Sequence, residues 1–195
     1  MNIEPITLEG DVVRLEPMTL DHLDGLWAAG NDEGLWRLIP TTIRSVDDMR
    51  RYVETALADR DRGVALPFVT VERSTGKVIG STRFGNIDKA NLRCEIGWTW
   101  ITPEFQRTAV NTEAKLLMLT HAFETWKCIR VELKTDVLNE QSRNAILRLG
   151  AEQEGIFRQH VICDTGRFRD SVYFSIIDTE WPTVKENLEL RLKSR

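Results

Sequence analysis

The chain has 195 residues, 42% hydrophobic and 29% charged, the make-up of one globular domain large enough to bury a core without disulfides or metals. With 26 Lys and Arg against 30 Asp and Glu, the net charge is −4, which argues against nucleic acid or an anionic membrane as partner and slightly favours amine substrates. Cys94, Cys128 and Cys163 share no metal-ligand spacing and read as reduced thiols of a cytoplasmic protein, so no metal is expected. No apolar run approaches the ~18 residues of a membrane span, and the N-terminus lacks the pattern of a signal peptide.

In chain order, Val12 to Leu15 predicts a short strand, and Thr19 caps a helix that carries Leu20, Leu23, Leu26 and Trp27 on one face as far as Gly30. Leu35 to Arg44 reads as a loop. Ser45 with Asp48 three residues on forms an acidic version of a capping box, opening a helix to about Arg62. Ala65 to Glu72 and Lys77 to Gly85 make a hairpin around Ser74-Thr75-Gly76, and after a turn at Asn86 to Asn91 a third antiparallel strand runs from Leu92 to Ile101. A helix from about Val110 to Trp126 buries Ala114, Leu117, Met118, Phe123 and Trp126 and leaves Glu113, Lys115 and Glu124 to water. Ile129 to Asp136 alternates as a half-exposed strand, and Glu140 to Leu149 is a helix stopped by Gly150. Ala151 to Cys163 and Arg167 to Ile177 flank the turn Asp164-Thr165-Gly166. Trp181, Val184, Leu188 and Leu192 form the stripe of a packing helix over about 180–193. No linker or repeat divides residues 1–195. The order predicts a mixed α/β (α+β) layer with a mainly antiparallel sheet and helices packed on it.

The stretch from Glu95 to Leu119 carries the chemistry. A strand that ends in a short polar loop opening into a helix aims unpaired backbone N–H groups and the positive end of the helix dipole at one point, an anion site. Arg107 adds a fixed positive charge beside it, so the ligand is a phosphate or pyrophosphate rather than a lone carboxylate. The loop is not a mononucleotide P-loop, because Gly-x-x-x-x-Gly-Lys-Ser/Thr is absent from the chain.

The strand, the loop Gln106-Arg107-Thr108-Ala109-Val110-Asn111-Thr112, the helix behind it and the later Asn139-Glu140-Gln141-Ser142 together resemble the GNAT superfamily of acyl-CoA-dependent N-acetyltransferases. Within it they resemble the branch of ribosomal-protein N-terminal acetyltransferases. The resemblance covers nearly the whole chain and implies a central sheet with helices on both faces and a splayed central strand pair. In the family the pyrophosphate loop reads Arg/Gln-x-x-Gly-x-Gly/Ala; here Gln106, Ala109 and Asn111 hold the marked positions, and both glycines are missing. Because glycine lets backbone approach phosphate closely or take positive φ, the departure bears on cofactor affinity more than on cofactor identity.

The resemblance implies acetyl-CoA as cofactor, with the pantetheine laid beside the central strand at Trp100, Ile101 and Thr102, where a backbone N–H polarises the thioester carbonyl. Asn139 would bind the pantetheine, Ser142 would protonate the departing thiolate, and Arg143 would line the groove. For the base that frees the acceptor amine, Glu95 and Asp170 are candidates. Each has a plain alternative as an ion-pair partner, Glu95 with Arg83 or Arg93, Asp170 with Arg167 or Arg169. Trp36 is either a wall of the acceptor pocket or a core anchor. The expected reaction moves acetyl directly to a primary amine, of a small molecule or a peptide N-terminus, and the second reading is a non-catalytic CoA-binding or sensing module. A homodimer is expected from the apolar C-terminal stripe and the strand edges.

Overall fold

A computed structural model describes residues 1–194. Strands β1 (Leu8–Glu9) and β2 (Val13–Pro17) lead through a 3-10 turn into α1 (Leu23–Gly30), α2 (Glu33–Trp36) and α3 (Val46–Asp61). Next come β3 (Leu66–Glu72), β4 (Val78–Asp88) and β5 (Arg93–Ile101), then α4 (Val110–Thr120), which runs on through a π turn, His121–Thr125. The chain closes with β6 (Arg130–Asp136), α5 (Glu140–Leu149), β7 (Glu152–Ile162), β8 (Phe168–Ile177) and α6 (Trp181–Lys193). The local signals act as the sequence suggests. Ser45 Oγ accepts from Asp48 N–H at the start of α3, and Gly150 ends α5 with φ of 100°, a left-handed cap that suits glycine.

All eight strands form one sheet in the order β1-β2-β3-β4-β5-β6-β8-β7, antiparallel except between β5 and β6. Helices cover both faces, because the two faces carry two separate apolar clusters. On one, Phe68, Phe84 and Phe174 of the sheet bury Met118 of α4 and Leu188 of α6. On the other, Val69, Val71 and Trp100 bury Leu26 of α1 and Met49 and Val53 of α3. No helix among the described residues is long and apolar enough to cross a membrane.

Three expectations are corrected by packing. Glu113 and Lys115 are buried, at 6% and 5% exposure, because α4 is wedged between the sheet and α6 and so has little free face. The Glu113 carboxylate accepts three backbone N–H groups, from Asp11 at 2.9 Å and from Val12 and Val13 at 2.7 Å, and so ties the start of β2 to α4. Lys115 reaches into the sheet and donates to Thr99 Oγ1 at 2.7 Å and Thr82 Oγ1 at 3.1 Å. Third, the α6 stripe is interior surface: Trp181, Val184 and Leu188 are buried, with Trp181 stacked on Phe123. The stripe thus serves as the packing helix expected of it and gives no support to a homodimer. Trp36, for its part, is a core anchor, 1% exposed, donating to Gly30 O at 2.7 Å and packed on Trp100.

Candidate functional site

The site begins where the sheet stops being continuous. β5 and β6 pair in parallel at Arg93–Arg130, Cys94–Val131 and Glu95–Glu132, and their pairing ends there. From Ile96 onward β5 keeps β4 on one side and has no strand on the other. Glu95 stands at the vertex of this gap.

β5 also changes phase inside the gap. Arg83 pairs with Gly97, yet Ser81 pairs with Trp100, so β5 holds one residue more than β4 between these rungs. The extra residue is a β-bulge at Trp98, whose φ of 50° lies in the left-handed region. Glu95 and Gly97 precede it. After it, Thr99 and Ile101 turn toward α4, while Trp100 turns toward α1 and α3. Thr102 N–H donates to Ile79 O in β4 at 2.8 Å, and antiparallel ladders alternate, so the main-chain groups of Thr99 and Ile101 point away from β4 into the gap. Of the strand-end trio Trp100, Ile101 and Thr102, then, it is Ile101 whose main chain faces the gap. Its carbonyl accepts from Gln106 Nε2 at 2.9 Å, and Gln106 Oε1 in turn accepts from Gln141 Nε2 of α5 at 3.0 Å. Gln106 thus bridges the mouth of the gap.

At the start of α4 the first intrahelical bond runs from Glu113 N–H to Ala109 O, and Val110 N–H is taken by Thr108 Oγ1. The Asn111 and Thr112 N–H groups lie ahead of that bond and point off the helix end. Ala109 has φ of −68° and Asn111 lies within the first helical turn, so neither position needs glycine for its backbone. The left-handed residue of the loop is Arg107, with φ of 61°, whose side chain is exposed. Across the gap, Asn139 caps α5 by accepting from Ser142 N–H at 3.0 Å, and Arg143 Nη1 donates to Val137 O at 3.3 Å. The half-buried hydroxyl of Ser142 engages no described residue.

On the face opposite α4, side chains from five elements form a row: Tyr52 of α3, Arg83 of β4, Trp98 of β5, Lys134 of β6 and Tyr173 of β8. The Arg83 guanidinium sits 5.1 Å from the Tyr52 ring centre and 5.0 Å from that of Trp98. Lys134 Nζ lies 5.8 Å from the Trp98 ring and 5.6 Å from that of Tyr173. Such contacts of cation on ring hold both partners in place. The Trp98 indole lies flat over Gly85, where a Cβ would meet Trp98 Cζ3 at 2.3 Å. Beside the row, buried Glu95 accepts from Lys134 Nζ at 2.9 Å and from Asn86 Nδ2 at 2.8 Å. Its partners are thus Lys134 and Asn86, neither of the two arginines expected.

Asp170 is placed otherwise. Period-two alternation along β8 sets it with Val172 and Phe174, whose side chains enter the α4-side core, and opposite Arg169 and Tyr173. Its Oδ1 accepts from Gln159 N–H at 2.6 Å, stapling an irregular stretch of β7 in which Gln159 has φ of 49°. Glu95, Ile101, the Gln106 to Thr112 loop, Asn139 and Ser142 therefore surround one gap, while Trp36 and Asp170 are directed elsewhere. Sequence reasoning missed Arg83, Trp98 and Lys134. A signal existed for Lys134, since the alternation of β6 already set it on the face of Glu132; the bulge at Trp98 left none.

A model of the acetyltransferase (GNAT) domain matches residues 13–152. Among curated relatives, the Bacillus subtilis protein named "Putative ribosomal N-acetyltransferase YdaF" is 35% identical over 171 residues, 86% of this chain and 90% of its own. A GCN5-related N-acetyltransferase of Brucella melitensis has a crystal structure that superposes with a TM-score of 0.90 at 32% identity, covering 97% of this chain and 86% of that one. Mycobacterium smegmatis RimJ, solved in complex with CoA-disulfide, shares the fold at a TM-score of 0.80 and 22% identity, over 96% of this chain and 92% of its own.

Proposed function

This chain belongs to the GNAT acetyltransferase family and is an acetyl-CoA-dependent N-acetyltransferase; from that premise we propose that the gap between β5 and β6 receives the donor and that the row containing Trp98 forms the floor of the acceptor cleft. The observation that carries this reading is the unpaired inner edge of β5 beginning at Glu95, with the start of α4 at its far end. An extended pantetheine can pair with such an edge through the Thr99 and Ile101 main chain, as a peptide adds to a sheet. Pairing with Ile101 O requires the Gln106 amide to swing away. The free N–H groups of Asn111 and Thr112, with the exposed Arg107, suit the pyrophosphate.

Acetyl-CoA supplies an acyl carbon joined to sulfur by a bond that breaks as the new amide N–C bond forms. The chain has three tasks. The Ile101 N–H stabilises negative charge on the carbonyl oxygen, a role worth ~3 kcal/mol in comparable sites. Glu95, held by Lys134 and Asn86, takes the proton that the acceptor ammonium must lose before it can attack, directly or through a water. Ser142 Oγ, unengaged among the described residues, gives its proton to the departing sulfur and recovers one, through solvent, from the second proton that the new amide nitrogen sheds. Asn139 and Arg143 shape the donor groove, and Asp170 keeps the β7–β8 hairpin in shape. The acceptor is a primary amine, on a small molecule or at a peptide N-terminus; the name of the Bacillus relative favours the latter. Three buried free thiols suit the cytoplasm.

The test is release of free thiol from acetyl-CoA in the presence of peptide, polyamine and amino-acid-like amines. Acetyl-CoA binding with no thiol released from any of them would support a sensing module instead. Glu95→Gln should lower turnover ~100-fold near pH 6 and less near pH 9, where a far larger fraction of the acceptor is already neutral in solution. A pH profile parallel to that of wild type would remove the base role.

A further inference from the structure

Arg83 is the charged side chain most at odds with its surroundings. It is 2% exposed, yet it makes no hydrogen bond to any described residue, and its Nε is buried without a partner. The nearest carboxylate oxygen, Asp59 Oδ2, lies 3.7 Å from Nη1, beyond hydrogen-bond range. The two flanking rings fix the plane of the guanidinium and leave its donors unanswered. The buried Nε carries a desolvation cost that no described group offsets.

Arg83 lines a cavity of about 300 Å³ shared with Tyr52, Trp98 and the loop at Thr41 to Ile43. Three carboxylates also line it, and each is already engaged. Asp48 accepts from Arg44 N–H, Ser45 and Arg51. Asp59 accepts from Arg62. Asp164, at the tip of the β7–β8 hairpin, accepts from Thr42 N–H and from Thr42 Oγ1. Among the cations of the lining, Arg51 is largely exposed and paired with Asp48, so Arg83 is the buried one.

The cavity adjoins the reacting end of the cleft. Arg83 pairs with Gly97 and Gly85 with Glu95 in the β4–β5 ladder, so Arg83 and Glu95 are diagonal neighbours on one face, ~7 Å apart at their Cβ positions. Trp98 stands between Arg83 and Lys134, and Lys134 in turn bonds Glu95. A molecule whose amine reaches Glu95 therefore brings any substituent a few bonds away to the guanidinium.

We propose that the acceptor of this enzyme carries an anionic oxygen group, a carboxylate or a phosphate, a few bonds from its amine, and that Arg83 binds it. The proposal rests on the acceptor cleft assigned above and specifies its substrate class. The planar donor pair of Arg83 matches two oxygens of one such group.

The test compares kcat/KM for matched amines: an ω-amino acid, the corresponding amide, and phosphoethanolamine against ethanolamine. In the wild type each anionic member should exceed its neutral counterpart at least tenfold. That ratio should approach one in Arg83→Met and recover in part in Arg83→Lys; the phosphate and carboxylate arms identify which anion is preferred. Equal rates for charged and neutral partners in the wild type, or a preference that survives in Arg83→Met, would overturn the proposal. If no amine releases thiol, the transfer reading fails, and thermal-shift titration of the same acids decides the subsite separately. Stabilisation of wild type by the acid, lost in Arg83→Met, upholds it, and no shift with wild type sinks it. Should Arg83→Met fail to fold, the wild-type ratio and the behaviour of Arg83→Lys still decide between these outcomes.

Discussion

Replacing Lys115 with methionine removes an ammonium from the interior while leaving its two hydroxyl partners satisfied, since Thr82 Oγ1 and Thr99 Oγ1 also bond each other at 2.8 Å. Burial pushes the Lys115 amine down from its ordinary 10.5 to about 7, because the interior cannot solvate the charged form. Between these values the unfolded chain binds a proton that the folded chain does not, so stability rises with pH across that window. Below about pH 7 both states are protonated and the full penalty applies. At ~1.4 kcal/mol per pH unit the penalty is about 5 kcal/mol near pH 6 and falls to ~1–2 near pH 9.5. The wild type should therefore gain about 3 kcal/mol on Lys115→Met between those two pH values, read from urea unfolding of both proteins at each. The comparison cancels every other titrating group common to both. Parallel stability curves would refute the reasoning and show that Lys115 keeps an ordinary amine in the folded protein.

Two further outcomes follow from the geometry. Glu113→Ala should cost about 2–4 kcal/mol in chemical denaturation, because it strands the N–H groups of Asp11, Val12 and Val13 at once; Glu113→Gln should cost less, since it keeps an acceptor oxygen. Arg107→Gly should leave stability unchanged or raise it by up to ~1 kcal/mol, as glycine relieves the left-handed backbone, while it raises the KM for acetyl-CoA several-fold through the lost charge.

Local signals in the sequence were reliable where a single short-range interaction decides the outcome. Ser45 and Gly150 cap the helices they were expected to cap, and the turn at Asp164 to Gly166 joins the two last strands. The strand, loop and helix proposed for the donor side are consecutive in the chain, so their adjacency was legible for the same reason. The acceptor side was not. Arg83, Trp98 and Lys134 come from three strands, and their meeting depends on register, which a one-residue bulge alters without any mark in composition. Helical periodicity misplaced Glu113 and Lys115 because it assumes a helix with one wet face, whereas α4 has the sheet on one side and α6 on the other. The whole-chain charge of −4 suggested a surface kind to cations. That average says nothing of placement: Lys134 is paired with Glu95, and Arg83 stands among Asp48, Asp59 and Asp164.

The bulge at Trp98 gives β5 two reading frames. Up to Gly97 the strand presents Glu95 to the proposed acceptor face; beyond Trp98 the frame slips by one, so that the hydroxyl of Thr99 meets Lys115 and the side chain of Ile101 enters the α4 core. Because residue 98 is the extra one, deleting it would leave Thr99 and Ile101 facing α4 and Trp100 facing α1 and α3, whereas forcing it into regular alternation at unchanged length would turn all three round. The bulge therefore adds the Trp98 indole to the proposed acceptor face without altering the facing of the residues on either side of it.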